Sequence, residues 1–225
     1  MSFYECLNAF PEGAASASRM ALTAKELGYQ GIIICNQEPN KIFMPQATEM
    51  IRGIDVAIGV EVTASGSKAL KSRISALRAR YPFLMVSAGS EETIRAASED
   101  PNVDLLMHPC EVRRPLTIAT ARAAKLNQIC IGFDLSPLVY LRGSSRSRWL
   151  EAARRNLQLL RKFELLPVIT ASARSHLDLR SPRDLIAMAE VAGFEIDEAR
   201  EALRRPGMLM ALNRRKWVAP GVELL

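Results

Sequence analysis

Seven residues able to bind a cation or move a proton stand at or just beyond the ends of short apolar runs: Asn8, Asn36, Glu61, His108, Asp134, Ser172 and His176. Where strands alternate with helices, such strand ends carry the loops on which chemistry is usually built. Glu61, His108, Asp134 and His176 are the set a metal-dependent phosphoesterase would draw on, because hydrolysis needs ligands that hold a metal able to acidify water and neutralise phosphate. The chain has only two histidines, and its first apolar run ends L-N-A rather than in a His-x-His pair. Glu61 and Asp134 read equally well as hydrogen-bonded structural carboxylates. No G-x-S-x-G elbow, G-x-G-x-x-G turn or P-loop occurs, so neither a nucleophilic serine nor a nucleotide-binding fingerprint is available. The expectation is a chain with no catalytic residues and no metal ligands of its own, with the phosphoesterase as the alternative.

A second chemistry is more concentrated. Between Arg142 and Asp184 stand ten Arg or Lys residues and four acids, a surplus equal to the +6 formal charge of the whole chain. Up to Val112 there are ten bases and thirteen acids; beyond it there are twenty bases and eleven acids. A surplus confined to one half implies a charged face, and the excess of Arg over Lys there favours bidentate contact with phosphate. On a helical wheel Trp149, Ala153, Leu157 and Leu160 fall within about 80°, a core-facing stripe. Arg148, Arg155 and Lys162 repeat at heptad spacing with a drift of about 20° per step and form a row opposite it. Arg154 and Arg161 flank that row, and only Glu151 lies within a turn of it. Ser181, Pro182 and Asp184 read as the N-cap, first residue and first turn of another helix, with Arg180 and Arg183 on either side of its free amides. Near the end, Arg214, Arg215 and Lys216 precede Trp217, a combination suited to phosphate neutralisation beside a stacked base. A solvated terminus would read the same way.

The elements that must position these groups alternate regularly. Strands are expected at 3–7, 31–35, 56–62, 84–88, 105–107, 129–133 and 168–170, and helices at 14–27, 67–80, 91–98, 116–126, 148–162 and 183–192, with a weaker helical segment around 47–51. Near-continuous apolar strands separated by helices indicate a parallel sheet covered on its outside. Without a nucleotide fingerprint, closure is favoured over an open sheet. The expected fold is α/β, a distorted TIM-like (βα) barrel of about seven strands, with one domain at 1–204 and a basic tail at 205–225. The 225 residues suit one such unit, and 48% apolar with 24% charged residues is ordinary globular composition. The chain lacks the roughly 20 consecutive apolar residues of a membrane span and an N-terminal secretion signal, so a cytoplasmic protein with no membrane partner is expected. Cys6, Cys35, Cys110 and Cys130 show no C-x-x-C spacing and read as reduced core residues.

Several stretches, in order and spacing, resemble the roughly thirty-kilodalton protein subunit family of archaeal and eukaryotic ribonuclease P. They are E-L-G-Y-Q-G-I-I-I-C-N, I-G-V-E-V, I-G-F-D-L-S-P-L with the Arg-Gly-Ser loop after it, R-R-N-L-Q-L-L-R-K-F, V-I-T-A-S-A and L-R-S-P-R-D-L. The resemblance implies a barrel related to the polymerase-and-histidinol-phosphatase phosphoesterases. It implies a part in the ribonucleoprotein endonuclease that removes the 5′ leader from precursor tRNA, with the active centre carried by the RNA and magnesium required by the holoenzyme. Implied partners are the ribonuclease P RNA, precursor tRNA and a small α/β protein subunit, the two proteins forming a heterotetramer. Of the basic residues, Arg142, Arg146, Arg148, Arg155, Lys162, Arg174, Arg180, Arg183, Arg214, Arg215 and Lys216 are expected to bind RNA.

Overall fold

A computed structural model describes residues 2–42, 51–107, 110, 116–215, and the backbone of 217–219 and 222–223. Two parallel sheets carry the fold. The first contains β1 (Tyr4–Leu7), β2 (Gly31–Ile34) and β3 (Asp55–Ile58); the second contains β4 (Val60–Val62), β5 (Leu84–Ser87), β6 (Leu105–Met107), β7 (Cys130–Asp134) and β8 (Pro167–Thr170). The described residues thus hold eight parallel strands where seven are expected, because the run at 56–62 is interrupted at Gly59. That residue donates its N–H to Ile34 O, and Val60 turns to Phe83 O, so the chain passes from one sheet to the other within a single residue. Between the outer strands β1 and β8, Leu7 bridges Ala173 in parallel, and Asn8 N donates to Ala173 O at 3.0 Å.

Both faces of these strands are buried, which explains why they read as unbroken apolar runs. Ile32 and Ile34 pack with the helices, whereas Ile33 and Ala57 of the first sheet share a separate cluster with Met85 and Leu105 of the second and with Phe83 just before β5. The inner faces of the two sheets therefore meet. Fully burying a side chain of this size contributes about 1.5–3 kcal/mol. Cys6, Cys35, Cys110 and Cys130 are free and buried, and burial pushes the Cys110 and Cys130 thiols up to about 12.

Helices α1 (Ala17–Glu26), α2 (Ser67–Arg78), α3 (Glu91–Ser98) and α4 (Ile118–Leu126) follow the expected segments closely. The short α5 (Pro137–Tyr140) precedes α6 (Gly143–Phe163), and α7 (Pro182–Ala192) begins at Ser181, whose side chain accepts from Asp184 N. The weak helical segment at 47–51 lies, apart from Ile51, outside the described residues. In α6 the expected stripe is buried: Trp149, Ala153, Leu157 and Leu160, joined by Ala152 and Asn156. Among the described residues, no helix is long and apolar enough to cross a membrane.

The main departure is α8 (Ile196–Asn213), which runs through the boundary expected at 204/205. Pro206 and Gly207 suggest a break, yet the helix continues because packing outweighs propensity. Ala199, Ala202, Leu203 and Met210 are buried, and Met210 joins the cluster between the sheets. Gly207 is required for close approach, since a Cβ there would lie 2.4 Å from Tyr4 Cδ2 at the start of β1. Helix α8 thereby covers the N-terminal ends of the strands. Beyond it, β9 (Trp217–Ala219) and β10 (Val222–Glu223) pair antiparallel.

Candidate nucleic-acid interface

The loops after the strands cluster at the opposite end. Gly13 in the loop after β1 lies so near the loop after β8 that a Cβ would meet Asn8 O at 2.2 Å and Arg174 O at 2.7 Å. Ala14 N donates to Arg174 O, and Arg174 Nη2 returns a bond to Glu12 O at 2.7 Å. Other arginines here behave alike. Arg146 Nε donates to Leu141 O at 2.7 Å, and Arg180 Nη1 donates to Leu177 O and Leu179 O at 2.9 and 2.8 Å. Carbonyl partners orient a guanidinium without cancelling its charge, so these three retain their attraction for an anion. Arg142, Arg148 and Arg183 are exposed at the same end, at the start of α6 and in the first turn of α7.

The expected basic set is therefore spread over the molecule. Arg155, midway along α6, has among the described residues an exposed contact with Glu151 at 3.7 Å. Lys162, at the far end of α6, lies 5.9 Å from the Phe163 ring centroid. Of the flanking residues, Arg161 pairs with Glu198 at 2.7 Å and Arg154 donates to Val191 O. Arg214 binds Asp55 at 2.8 Å at the start of β3, remote from the loops after the strands. Arg215 is exposed beside it, and Lys216 lies outside the described residues.

A cavity of ≈ 480 Å³ opens among the loops, its polar lining including Asn8, Glu61, Asp134, Tyr140, Ser172 and Arg174. Four of the residues expected at strand ends, Asn8, Glu61, Asp134 and Ser172, thus meet. Asn8 Nδ2 donates to Cys35 O at 2.7 Å and to Glu61 Oε2 at 3.3 Å. Asp134 Oδ1 accepts from Ser136 N at 2.9 Å, and burial raises its pKa against the bonds from Ser136 and Ser172. Asn36 lies elsewhere, its amide bonded at both ends to the backbone of Ala9. His176 does not line this cavity, and its Nδ1 is buried without a hydrogen-bond partner among the described residues. His108 lies outside them. Among the described residues no three His, Cys, Asp or Glu side chains come together as a metal site.

One functional-looking group escapes sequence reading. Glu5 in β1 is fully buried, and its Oε1 accepts from Thr170 Oγ1 at 2.6 Å and Ala171 N at 2.7 Å; Tyr29 OH approaches Oε2 at 3.4 Å. Desolvation, against these bonds, raises its pKa to about 7. It joins β1 to the end of β8 where regular strand pairing is lacking. Tyr29 OH also donates to Arg180 O at 2.9 Å, connecting this seam to the basic loop. A lone Glu inside Y-E-C-L carries no signal of this role.

Fold and site together define an α/β protein built on parallel sheets, basic and open at its loop-bearing end. A model of the RNase P subunit p30 family matches residues 5–218. Ribonuclease P protein component 3 of Methanosarcina mazei is 36% identical, over 99% of this chain and 95% of that protein. A chain of archaeal ribonuclease P, solved with mature tRNA, superposes with a TM-score of 0.81 at 23% identity and covers 99% and 97% of the two chains. Histidinol phosphate phosphatase from Lactococcus lactis shares the fold more distantly, with a TM-score of 0.50 at 12% identity over 86% and 95%. This chain belongs to the RNase P subunit p30 family.

Proposed function

We infer that the chain is a protein subunit of ribonuclease P, binding the RNA of the enzyme that cleaves the 5′ leader from precursor tRNA. Family membership over nearly the whole chain supports this reading. The structural observation that carries it is the set of loop-end arginines, Arg146, Arg174 and Arg180, bonded to carbonyls and left with their charge for phosphate. Arg142, Arg148, Arg155 and Arg183 extend that surface, Lys162, Arg214 and Arg215 contribute more weakly from the far end, and Lys216 adds a further basic charge in sequence. The two sheets form a distorted barrel, closed at one side by Gly59 and at the other by the Leu7 to Ala173 bridge. In the cytoplasmic particle the chain pairs with a small α/β subunit as a heterotetramer, which sedimentation of the mixed proteins tests.

Reconstitution with the ribonuclease P RNA and the remaining subunits tests the main reading. Omitting this chain lowers precursor-tRNA cleavage, and exchanging Arg148, Arg155 and Lys162 together for Glu abolishes its contribution. RNA affinity of the full chain falls steeply with salt as counterions are released. Salt-independent binding, or full cleavage without the chain, refutes the reading.

A further inference from the structure

The cavity beside the basic loops is absorbed by neither the parallel sheets nor the phosphate contacts. Its lining carries two carboxylates, Glu61 and Asp134, which repel a phosphate, together with the cation Arg174. Ser172, also in the lining, holds a left-handed backbone at φ 45°, with its N–H bonded to Thr170 Oγ1 at 2.9 Å. A smaller hollow of ≈ 270 Å³ adjoins it, shares Ser136, Tyr140, Ser172 and Arg174, and adds Arg180. Tyr140 borders both and is 63% exposed, an aromatic ring in linings it shares with Arg174 and Arg180. Phe10 and Leu177, at 62% and 74%, are exposed on neighbouring loops of the same end.

We propose that this cavity receives one unstacked nucleobase of an RNA strand, with Tyr140 stacked on the base and Arg174 and Arg180 on its flanking phosphates. The inference rests on the RNA-subunit reading and deepens it. Sequence-tolerant RNA binding depends on aromatic faces beside cations, and recognition of single strands depends on splayed bases. Asp134 has about four lone-pair sites, more than the bonds from Ser136 and Ser172 occupy, so this lining selects a base edge rich in N–H groups. Guanine fits best, because two adjacent N–H donors can face one carboxylate in parallel.

The test uses the full chain with short fluorescent RNAs: a guanosine-containing single strand, an oligouridylate and a blunt duplex. Tyr140→Ala weakens the guanosine strand about tenfold and leaves the duplex unchanged, while Tyr140→Phe retains affinity. Asp134→Asn erases the preference for guanosine over uridine. Replacing Arg174 and Arg180 by Ala weakens strand and duplex alike. If Tyr140→Ala affects neither RNA, or both equally, the cavity inference fails and the subunit reading stands. If the unaltered chain binds neither, both fail. A photocrosslink from Tyr140 to a polypeptide instead of RNA in the reconstituted particle also overturns it.

Discussion

The two ends of the strands differ in the partners several of their arginines take, although Arg205 at the N-terminal end also donates to a carbonyl, Pro167 O, at 3.1 Å. At the N-terminal end, Arg78 pairs with Asp104 at 2.5 Å, and Arg214 pairs with Asp55 at 2.8 Å. Asp104 also accepts from Leu84 N and from Asn213 Nδ2, tying β5, β6 and α8 into one corner. At the loop end, Arg146, Arg174 and Arg180 reach, among the described residues, for carbonyl oxygens. A carboxylate partner spends a guanidinium on the fold; a carbonyl partner aims it and leaves its charge to act outward. Formal charge alone therefore does not say which cations remain available to an anion; the partner each one has must be read as well.

The largest effect expected from breaking this contrast is on stability. Asp104→Ala strands Arg78 and removes acceptors for two more donors, costing about 3–5 kcal/mol in chemical denaturation, since unpairing a largely buried charge is expensive. RNA affinity below the unfolding transition stays unchanged.

Glu5 offers a pH-dependent test at the seam between the outer strands. Because its folded pKa lies above the ordinary value, the native state holds the proton more tightly than the unfolded chain. Its contribution is complete below about 4.5 and is lost as pH rises through about 7. Glu5→Gln removes this titration. Across that window the unfolding free energy of the variant gains roughly 2–3 kcal/mol on that of the natural chain. A constant difference would place the ionisation elsewhere.

The loop end should respond the other way from Asp104. Arg174→Ala with Arg180→Ala lowers RNA affinity about tenfold at moderate salt and reduces the salt slope by about two, with under about 1 kcal/mol lost in stability. An equal loss of stability and binding would erase the distinction between the two ends. Smallest of all, Glu151→Ala leaves stability within about 0.5 kcal/mol, because its exposed contact with Arg155 is weak.

Much of this architecture was legible in the chain itself. Buried strands appear as apolar runs, and the stripe through Trp149 and Leu160 follows from helical periodicity. Asn8, Glu61, Asp134 and Ser172 converge because parallel strands bring their ends to one side. Local pattern fails where distant partners decide. Pro206 and Gly207 read as a stop until Tyr4 supplies the surface that needs a glycine. The ion pair of Arg214 is equally invisible locally, because Asp55 lies 159 residues away along the chain. Glu5 is silent for the same reason, its strongest bonds lying 165 and 166 residues along the chain.

Helix α8 acts as a stopper across the N-terminal ends of the strands. Shortening the chain at residue 204 would draw that stopper, remove Met210 from the space between the sheets and wet a cluster that includes Phe83 and Leu105. Such a fragment would clump through its uncovered base even with every loop arginine intact, so a minimal RNA-binding version of this protein must retain the helix through Asn213.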